Sequence, residues 1–336
     1  MLKNNMNLLK YDEFNISFSN LRDKTILITG ASGLVGLHML SSLKKFQKEY
    51  NLTIYTWTRN SVDIFNEVFN NCTKVIGDIT DITTYQTLPK FDYIIHAAGY
   101  GQPLVFLADK IKTIEINTTV TIKLLELLKE DGTFLFISSS EVYNGLFKFG
   151  LTEDEIGSTN SQHPRAAYID AKKCGEVICD AYREKGRNVK VARLSIAYGP
   201  GTKLGDTRVI NSLIDKGLNN DQIELMDDGS ALRTFCYISD VVEMLWNITL
   251  NGKDFIYNVC GVDSLSIFDL ATKIGLLLDK KVIRPIINNE LVGNPRLVNL
   301  SIDKYIKEFG DKEFISMDLG LANTIKWQKQ LYNERN

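Results

Sequence analysis

Proline is scarce, six in 336 residues, and no unit of about 20 to 50 residues recurs, which excludes a collagen and a solenoid or propeller array. Cysteine is also scarce and odd in number. Cys72, Cys174, Cys179, Cys236 and Cys260 form no C-x-x-C pair, so neither a disulfide framework nor a zinc knuckle is expected, and a reducing compartment fits. No apolar run approaches the length of a membrane span. The first residues carry Lys3, Lys10, Asp12, Glu13, Arg22 and Asp23, which leaves no apolar core for a signal peptide and makes the cytoplasm the expected location. The match Asn117-Thr118-Thr119 to a glycosylation acceptor therefore carries no meaning. Charge of one sign is lacking too. Lys plus Arg is 39 against 41 for Asp plus Glu, a net charge of -2, so no basic field draws the chain to nucleic acid or to an anionic membrane. The expected partner is a small ligand recognised locally, and no metal-ligand cluster stands out.

What is present is an ordinary globular composition, 44% hydrophobic and 24% charged, in a chain long enough for a large core. Short β-rich runs read KTILIT, LTIYTWT, KVIG, YIIHAAG, TFLFISSS and VKVARLSIAYG. Helix-length segments such as Lys112 to Glu130 and Tyr168 to Gly186 lie between them. Strands alternating with helices predict an α/β fold with a doubly wound parallel sheet covered on both faces. After Gly199-Pro200-Gly201 the alternation fades. The expected division is an N-terminal extension over 1–24, a dinucleotide-binding domain over 25–200 and a smaller mixed α/β substrate region over 201–336, with part of 236–262 returning to the first domain.

Gly30, Gly33 and Gly36 follow an apolar strand and open a helix whose apolar period runs from Leu37 to Phe46. There, backbone amides and the positive helix end can hold a diphosphate. A glycine triplet alone marks any loop; strand, glycines and helix together mark a Rossmann-type cofactor turn, with Ser32, Leu34 and Val35 beside the glycines. The strand LTIYTWT, where an acid usually takes both ribose hydroxyls, ends in Thr58-Arg59-Asn60. Arg59 can pair with a 2′-phosphate, lie over the adenine or simply face solvent, so the cofactor is NAD or NADP. His96-Ala97-Ala98-Gly99 supplies small residues that let backbone approach the dinucleotide, and His96 receives no catalytic part. Tyr168 and Lys172 stand four apart, so on a helix they share one face and the ammonium can favour the tyrosinate.

The segments GASGLVG, GDITD, SSSEVY, YIDAK, RLSIAYGPG, LRTFCYISDVV, IYNVCG and LGLANTIKW resemble those of the extended short-chain dehydrogenase/reductases, the NAD-dependent epimerase/dehydratase family, over nearly the whole chain. Within that family, IKTIEINTT, SSSEVY and HPRAAYIDAKK look most like UDP-glucuronate decarboxylases. The resemblance implies Ser139, Glu141, Tyr168 and Lys172 as catalytic residues. It places Asp78 and Ile79 beside the adenine, Asn117 in the proton relay, and Ser140, Arg165 and Arg233 toward the substrate. The same arginines could instead be structural ion-pair partners. The implied substrate is a nucleotide sugar, a UDP-sugar in the first place, and the implied assembly a homodimer through the amphipathic helices.

Ser139-Ser140-Glu141 occupies the triplet that reads Thr-Asp-Glu in sugar 4,6-dehydratases. A serine hydroxyl is too weak an acid to protonate a leaving hydroxide near neutrality, which disfavours dehydration and favours decarboxylation. Ile196 stands where relatives carry an Asn that contacts substrate, which marks a divergent member. A 4-epimerase and an NADPH-dependent 4-ketoreductase share the same first chemistry, and Arg59 mildly favours the latter. A non-catalytic dinucleotide-sensing protein is the alternative from another class.

Overall fold

A computed structural model describes residues 16–61, 65–285 and 293–333. The first half builds β1 (Thr25–Thr29), α1 (Leu34–Glu49), β2 (Thr53–Thr58), β3 (Thr73–Ile76) and β4 (Phe91–His96). It continues through α2 (Pro103–Ala108), α3 (Lys110–Asn117), α4 (Thr119–Glu126), β5 (Leu128–Ser139), α5 (Ala166–Glu184) and β6 (Asn188–Leu194). The second half contains β7 (Ile196–Tyr198), α6 (Val209–Asn219), β8 (Gln222–Glu224), β9 (Leu232–Tyr237), α7 (Ile238–Asn251) and β10 (Ile256–Val259). Then follow β11 (Ser264–Ser266), α8 (Ile267–Leu278), β12 (Lys281–Ile283), β13 (Leu297–Val298), α9 (Asp303–Phe309) and α10 (Met317–Asn333).

Seven strands form one sheet in the order β10-β6-β5-β4-β1-β2-β3, and each neighbouring pair is parallel. Its central strands are apolar on both faces, as helical cover on both sides requires. Ile26, Ile28 and Ile95 pack with α1 and α7 on one face, and Leu27, Ile94 and Phe136 pack with α4 and α5 on the other. The order reverses between β1 and β4, and the crevice beyond the carboxyl ends of strands at such a reversal is where this architecture binds ligands. The second half adds a mixed sheet in which β9 pairs with β7, β11 and β13, plus a two-stranded sheet of β8 and β12. Within that half, α6, α8 and α10 enclose a separate core around Ile214, Leu270 and Leu321. The strand β10, from residues 256–259, completes the main sheet by pairing with β6.

Two local expectations are corrected. The helical segment expected over Lys112 to Glu130 is two helices that stop at Glu126. It breaks at Thr118 (φ -117°, ψ -80°), within the β-branched run Thr118-Thr119-Val120-Thr121, which propagates helix poorly. Leu128 joins the ladder opposite Phe91 instead of adding a helical turn. The single strand read from VKVARLSIAYG is two, because the chain leaves the main sheet after Leu194 and β7 pairs with β9. Of the N-terminal extension, residues 1–15 lie outside the described residues. The rest contributes a 3-10 turn over Ser19–Leu21, with Phe18 and Leu21 buried in the core. Among the described residues no helix is long and apolar enough to cross a membrane, and no cluster of His, Cys, Asp or Glu could hold a metal.

Candidate active site

The glycine turn is dictated by contact distances. Gly30 adopts φ +64°, and a side-chain carbon there would lie 2.6 Å from the Ala97 carbonyl oxygen. A side-chain carbon on Gly36 would lie 2.4 Å from the Gly30 carbonyl oxygen, so the turn closes onto α1 only with glycine at both places. Gly33 caps α1 with extended backbone, and no side chain accepts from the first-turn amides. Ser32, Gly33, Leu34 and Val35 thus surround free helical N–H groups at the sheet's reversal point. That donor set fits a dinucleotide diphosphate.

Next to the turn, Ala98 N donates to the Thr29 hydroxyl at 3.1 Å. That hydroxyl donates to His96 Nδ1 at 2.9 Å, and His96 Nε2 donates to the Ile116 carbonyl at 3.1 Å. Burial holds the His96 pKa down at about 3, so the ring is a neutral brace between strand and helix. Asp78, just past β3, accepts from Thr80 N and Thr80 Oγ1 at 3.1 and 2.9 Å and is ion-paired with Lys112. Although its partial burial opposes ionisation, these partners hold its pKa at about 2. Ile79 is buried and its carbonyl accepts from the Tyr85 hydroxyl at 2.7 Å. Arg59 stacks its guanidinium 5.0 Å from the centre of the Tyr100 ring.

Tyr168 and Lys172 lie on the buried face of α5, and the Tyr168 hydroxyl is hydrogen-bonded to Ser139 at the end of β5. Burial pushes Tyr168 up to about 12, opposed by the Ser139 bond. Burial also brings Lys172 down to about 8, with Glu176 opposing. The ammonium does not touch the phenol oxygen. It donates to the Ile137 carbonyl at 2.7 Å and sits 5.9 Å from the Tyr168 ring centre. A side-chain carbon on Gly99 would approach Lys172 Nζ to 3.7 Å, so the end of the β4 loop and the lysine converge. Asn117 ends α3, donating from Nδ2 to the Thr113 carbonyl at 2.7 Å, while its buried Oδ1 has no partner. An orphaned acceptor at this depth is the kind of group that a bound ligand or water satisfies.

Glu141, in the 3-10 turn over Ser140–Tyr143, is ion-paired with Arg165, which precedes α5. Its other oxygen is buried and unpartnered. Arg233, on β9, is buried enough to lower its pKa to about 10, and the charges of Glu141, Arg165 and Asp227 act on it. Glu141 is thus paired with one guanidinium, Arg165, and within the electrostatic reach of a second, Arg233, on which Asp227 also acts. Ser140 begins the turn next to them. A cavity of about 310 Å³ lined by Asn144, Phe147, His163 and Arg296 adjoins the cluster.

The structure adds residues that the sequence reading missed. Phe106 of α2 stacks on Tyr168 with ring centres 4.4 Å apart and planes 10° from parallel, and Arg165 lies 5.4 Å over the Phe106 ring. Behind the site, Arg193 donates to Glu176 at 2.8 Å and to Tyr143 at 3.0 Å. Ser138 donates to Glu176 at 2.5 Å. The position of Glu176, one turn beyond Lys172, is the one signal in the sequence that could have pointed to this network.

The chain matches the NAD dependent epimerase/dehydratase family over residues 26–260. It is 27% identical over 314 residues to UDP-glucuronic acid decarboxylase 6 of Arabidopsis thaliana, covering 90% of this chain and 87% of that protein. It is 26% identical to a dTDP-4-dehydro-6-deoxy-D-allose reductase of a Streptomyces species, covering 91% and 96%. The UDP-glucuronic acid 4-epimerase of Bacillus cereus, solved with UDP-glucuronic acid and NAD, superposes with a TM-score of 0.78 at 22% identity, covering 92% and 100%. With the Rossmann-type sheet, the glycine turn and a match over most of its length, the chain belongs to the NAD dependent epimerase/dehydratase family and is a nicotinamide-dinucleotide-dependent enzyme of the extended short-chain dehydrogenase/reductase type.

Proposed function

We propose that this enzyme oxidises C4 of a UDP-sugar and acts on UDP-glucuronate or a related uronate, releasing carbon dioxide. The observation that carries the reading is the cluster of Arg165 and Arg233 around Glu141, next to Ser139, Tyr168 and Lys172. The two guanidinium groups can recognise a sugar carboxylate, and Ser140 occupies the position where a dehydratase holds its acid. Residues 201–336 supply Arg233 and are read as the nucleotide-sugar region.

When bound, the nicotinamide supplies a reversible hydride acceptor. Gly30, Ser32, Gly33, Leu34, Val35 and Gly36 hold its diphosphate in this reading. Asp78, Ile79, Ala97, Ala98 and Gly99 line its path, and Asn117 supports the helix beside it. Tyr168 takes the proton from the 4-hydroxyl, Ser139 hydrogen-bonds the same oxygen, and Lys172 provides the positive charge that makes the phenolate accessible. Loss of the C4 hydrogen as hydride leaves a 4-ketone. The C5–C6 bond then breaks, carbon dioxide leaves, and the electron pair enters an enolate conjugated with that ketone. Proton addition at C5 and hydride return to C4 give a pentose. Glu141, held by Arg165, orients the sugar or a water. A homodimer through α3 and α5 belongs to the same reading, supported by exposed Ile111, Ile114 and Val177 on these helices.

Incubation with UDP-glucuronate without added cofactor tests the proposal. Release of carbon dioxide and a UDP-pentose are expected. Isomerisation at constant mass, or no conversion by folded, cofactor-loaded enzyme, would reject decarboxylation. A second reading, reduction of a preformed 4-keto sugar by NADPH, is favoured by Arg59 alone and shows itself as stoichiometric NADPH consumption.

A further inference from the structure

We infer that Glu176 is a positioning residue of this enzyme, which grips the end of β5, seats α5 against it and keeps the Lys172 ammonium in place and charged. The inference rests on the reading of Tyr168 and Lys172 as the reacting pair. Tyr168, Lys172 and Glu176 follow one another at four-residue steps on the buried face of α5, so their side chains stand in one row. Three consecutive residues of β5 meet that row. The Ser139 hydroxyl is hydrogen-bonded to Tyr168, the Ile137 carbonyl accepts from Lys172 Nζ at 2.7 Å, and the Ser138 hydroxyl donates to Glu176 Oε1 at 2.5 Å. Two of these contacts hold the proposed chemistry. The third joins two buried groups one turn further along the helix, where it resists sliding or rotation of α5 on β5.

Glu176 is itself fixed from behind. Arg193 of β6 donates from Nε to Oε1 at 3.1 Å and from Nη2 to Oε2 at 2.8 Å, a two-pronged pair that sets the plane of the carboxylate. Nη1 of the same arginine donates to the Tyr143 hydroxyl and to the Glu153 and Glu155 carbonyls at 3.0, 3.0 and 2.9 Å. Apolar side chains would pack a helix on a sheet without the desolvation cost of a buried ion pair. The place of this pair gives it a task. Around the ammonium, burial leaves Tyr168, Cys179 and His96 uncharged near neutrality, and Phe136 presents its ring at 4.9 Å. Among the described residues the Glu176 carboxylate is the anion that faces the ammonium, and it opposes the burial that brings Lys172 down to about 8.

Two variants of the full chain separate the grip from the charge. Ser138→Ala removes the grip and leaves the Arg193–Glu176 pair in place. Its kcat on UDP-glucuronate is expected to fall about tenfold with KM unchanged, and Ser138→Thr, which keeps the hydroxyl, should recover most of the loss. Glu176→Gln keeps an acceptor for Ser138 and removes the charge that favours the protonated amine. The Lys172 titration should then move down by about one pH unit. It is read from the carbon-13 resonance of the lysine ε-methylene, identified by its loss in Lys172→Arg, and needs no sugar. Thermal melting follows the fold in each variant. If Glu176→Gln does not fold because Arg193 is stranded, Glu176→Gln combined with Arg193→Met takes its place with the same expected shift. Full kcat in Ser138→Ala, or an unmoved Lys172 titration in the folded charge variant, overturns the inference. Turnover retained in Tyr168→Phe would overturn the reading of the reacting pair, a result distinct from either.

Discussion

The rings of Phe106 and Tyr168 lie face to face, 4.4 Å between centres and 10° from parallel. The phenol proposed as base is therefore positioned from three sides, by Ser139 at its oxygen, by Phe106 on its face and by its own helix. Gln102, the residue before α2, accepts from Thr207 N and Oγ1 of the second half at 3.2 and 3.0 Å, which ties the start of the Phe106 helix to that half.

Phe106→Ala should lower kcat by about tenfold to a hundredfold through loosened placement of Tyr168. The stacking contact itself is worth about 1 kcal/mol beyond its burial. Phe106→Leu should keep most of the stability and little of the orientation. Steady-state kinetics beside thermal melting separates the two. A Leu variant with full kcat would show that bulk, not the stacked ring, is what Tyr168 needs.

The pH profile carries its own sign. The Ser139 hydrogen bond lowers the Tyr168 pKa against the upward push of burial, so Ser139→Ala should move the acidic limb of kcat/KM to higher pH. Lys172 loses its proton as pH rises through about 8. If its charge supports the tyrosinate, activity of the free enzyme should decline above that pH. Tyr168→Phe should abolish turnover throughout. An unmoved limb in Ser139→Ala would remove the hydroxyl pair from the mechanism.

Arg193 and Glu176 form a buried pair, with 4% and 6% of their side chains exposed. Removing one partner strands the other charge, so Arg193→Met should cost about 3–5 kcal/mol in denaturant unfolding. The double variant Arg193→Met with Glu176→Leu should be more stable than Arg193→Met alone. If the two losses simply add, the charges are not coupled as the geometry requires.

Gly36→Ala should abolish or strongly weaken dinucleotide binding, because its new methyl meets the Gly30 carbonyl oxygen at 2.4 Å and the turn must open. Titration with AMP or the intact cofactor reads this directly. Unchanged affinity would mean that the turn is not the diphosphate site.

The parts of this molecule governed by short-range rules were legible in the chain. Gly30, Gly33 and Gly36 between a strand and a helix, and Tyr168 four residues before Lys172, carry their geometry in their spacing. Six of the seven parallel strands followed from alternating apolar runs, and the seventh, β10, falls within the stretch expected to return to the first domain. The helix break at Thr118 and the departure of β7 to pair with β9 were not legible, because apolar periodicity continues across both points and distant partners decide the outcome. Phe106 was hidden for the same reason. Nothing in PLVFLA distinguishes a core phenylalanine from one resting on Tyr168. The ammonium of Lys172 met the Ile137 carbonyl, a backbone acceptor that side-chain spacing does not reveal.

The strand β10 has a consequence for anyone dividing this protein. Since residues 256–259 pair with β6, a fragment ending near Pro200 would be one strand short, with the ladder of Val191 to Leu194 bare along an apolar border. Such an uncapped border invites self-association. The main sheet is therefore finished only after most of the chain has been synthesised, when residues 256–259 return to it across the length of the intervening segment.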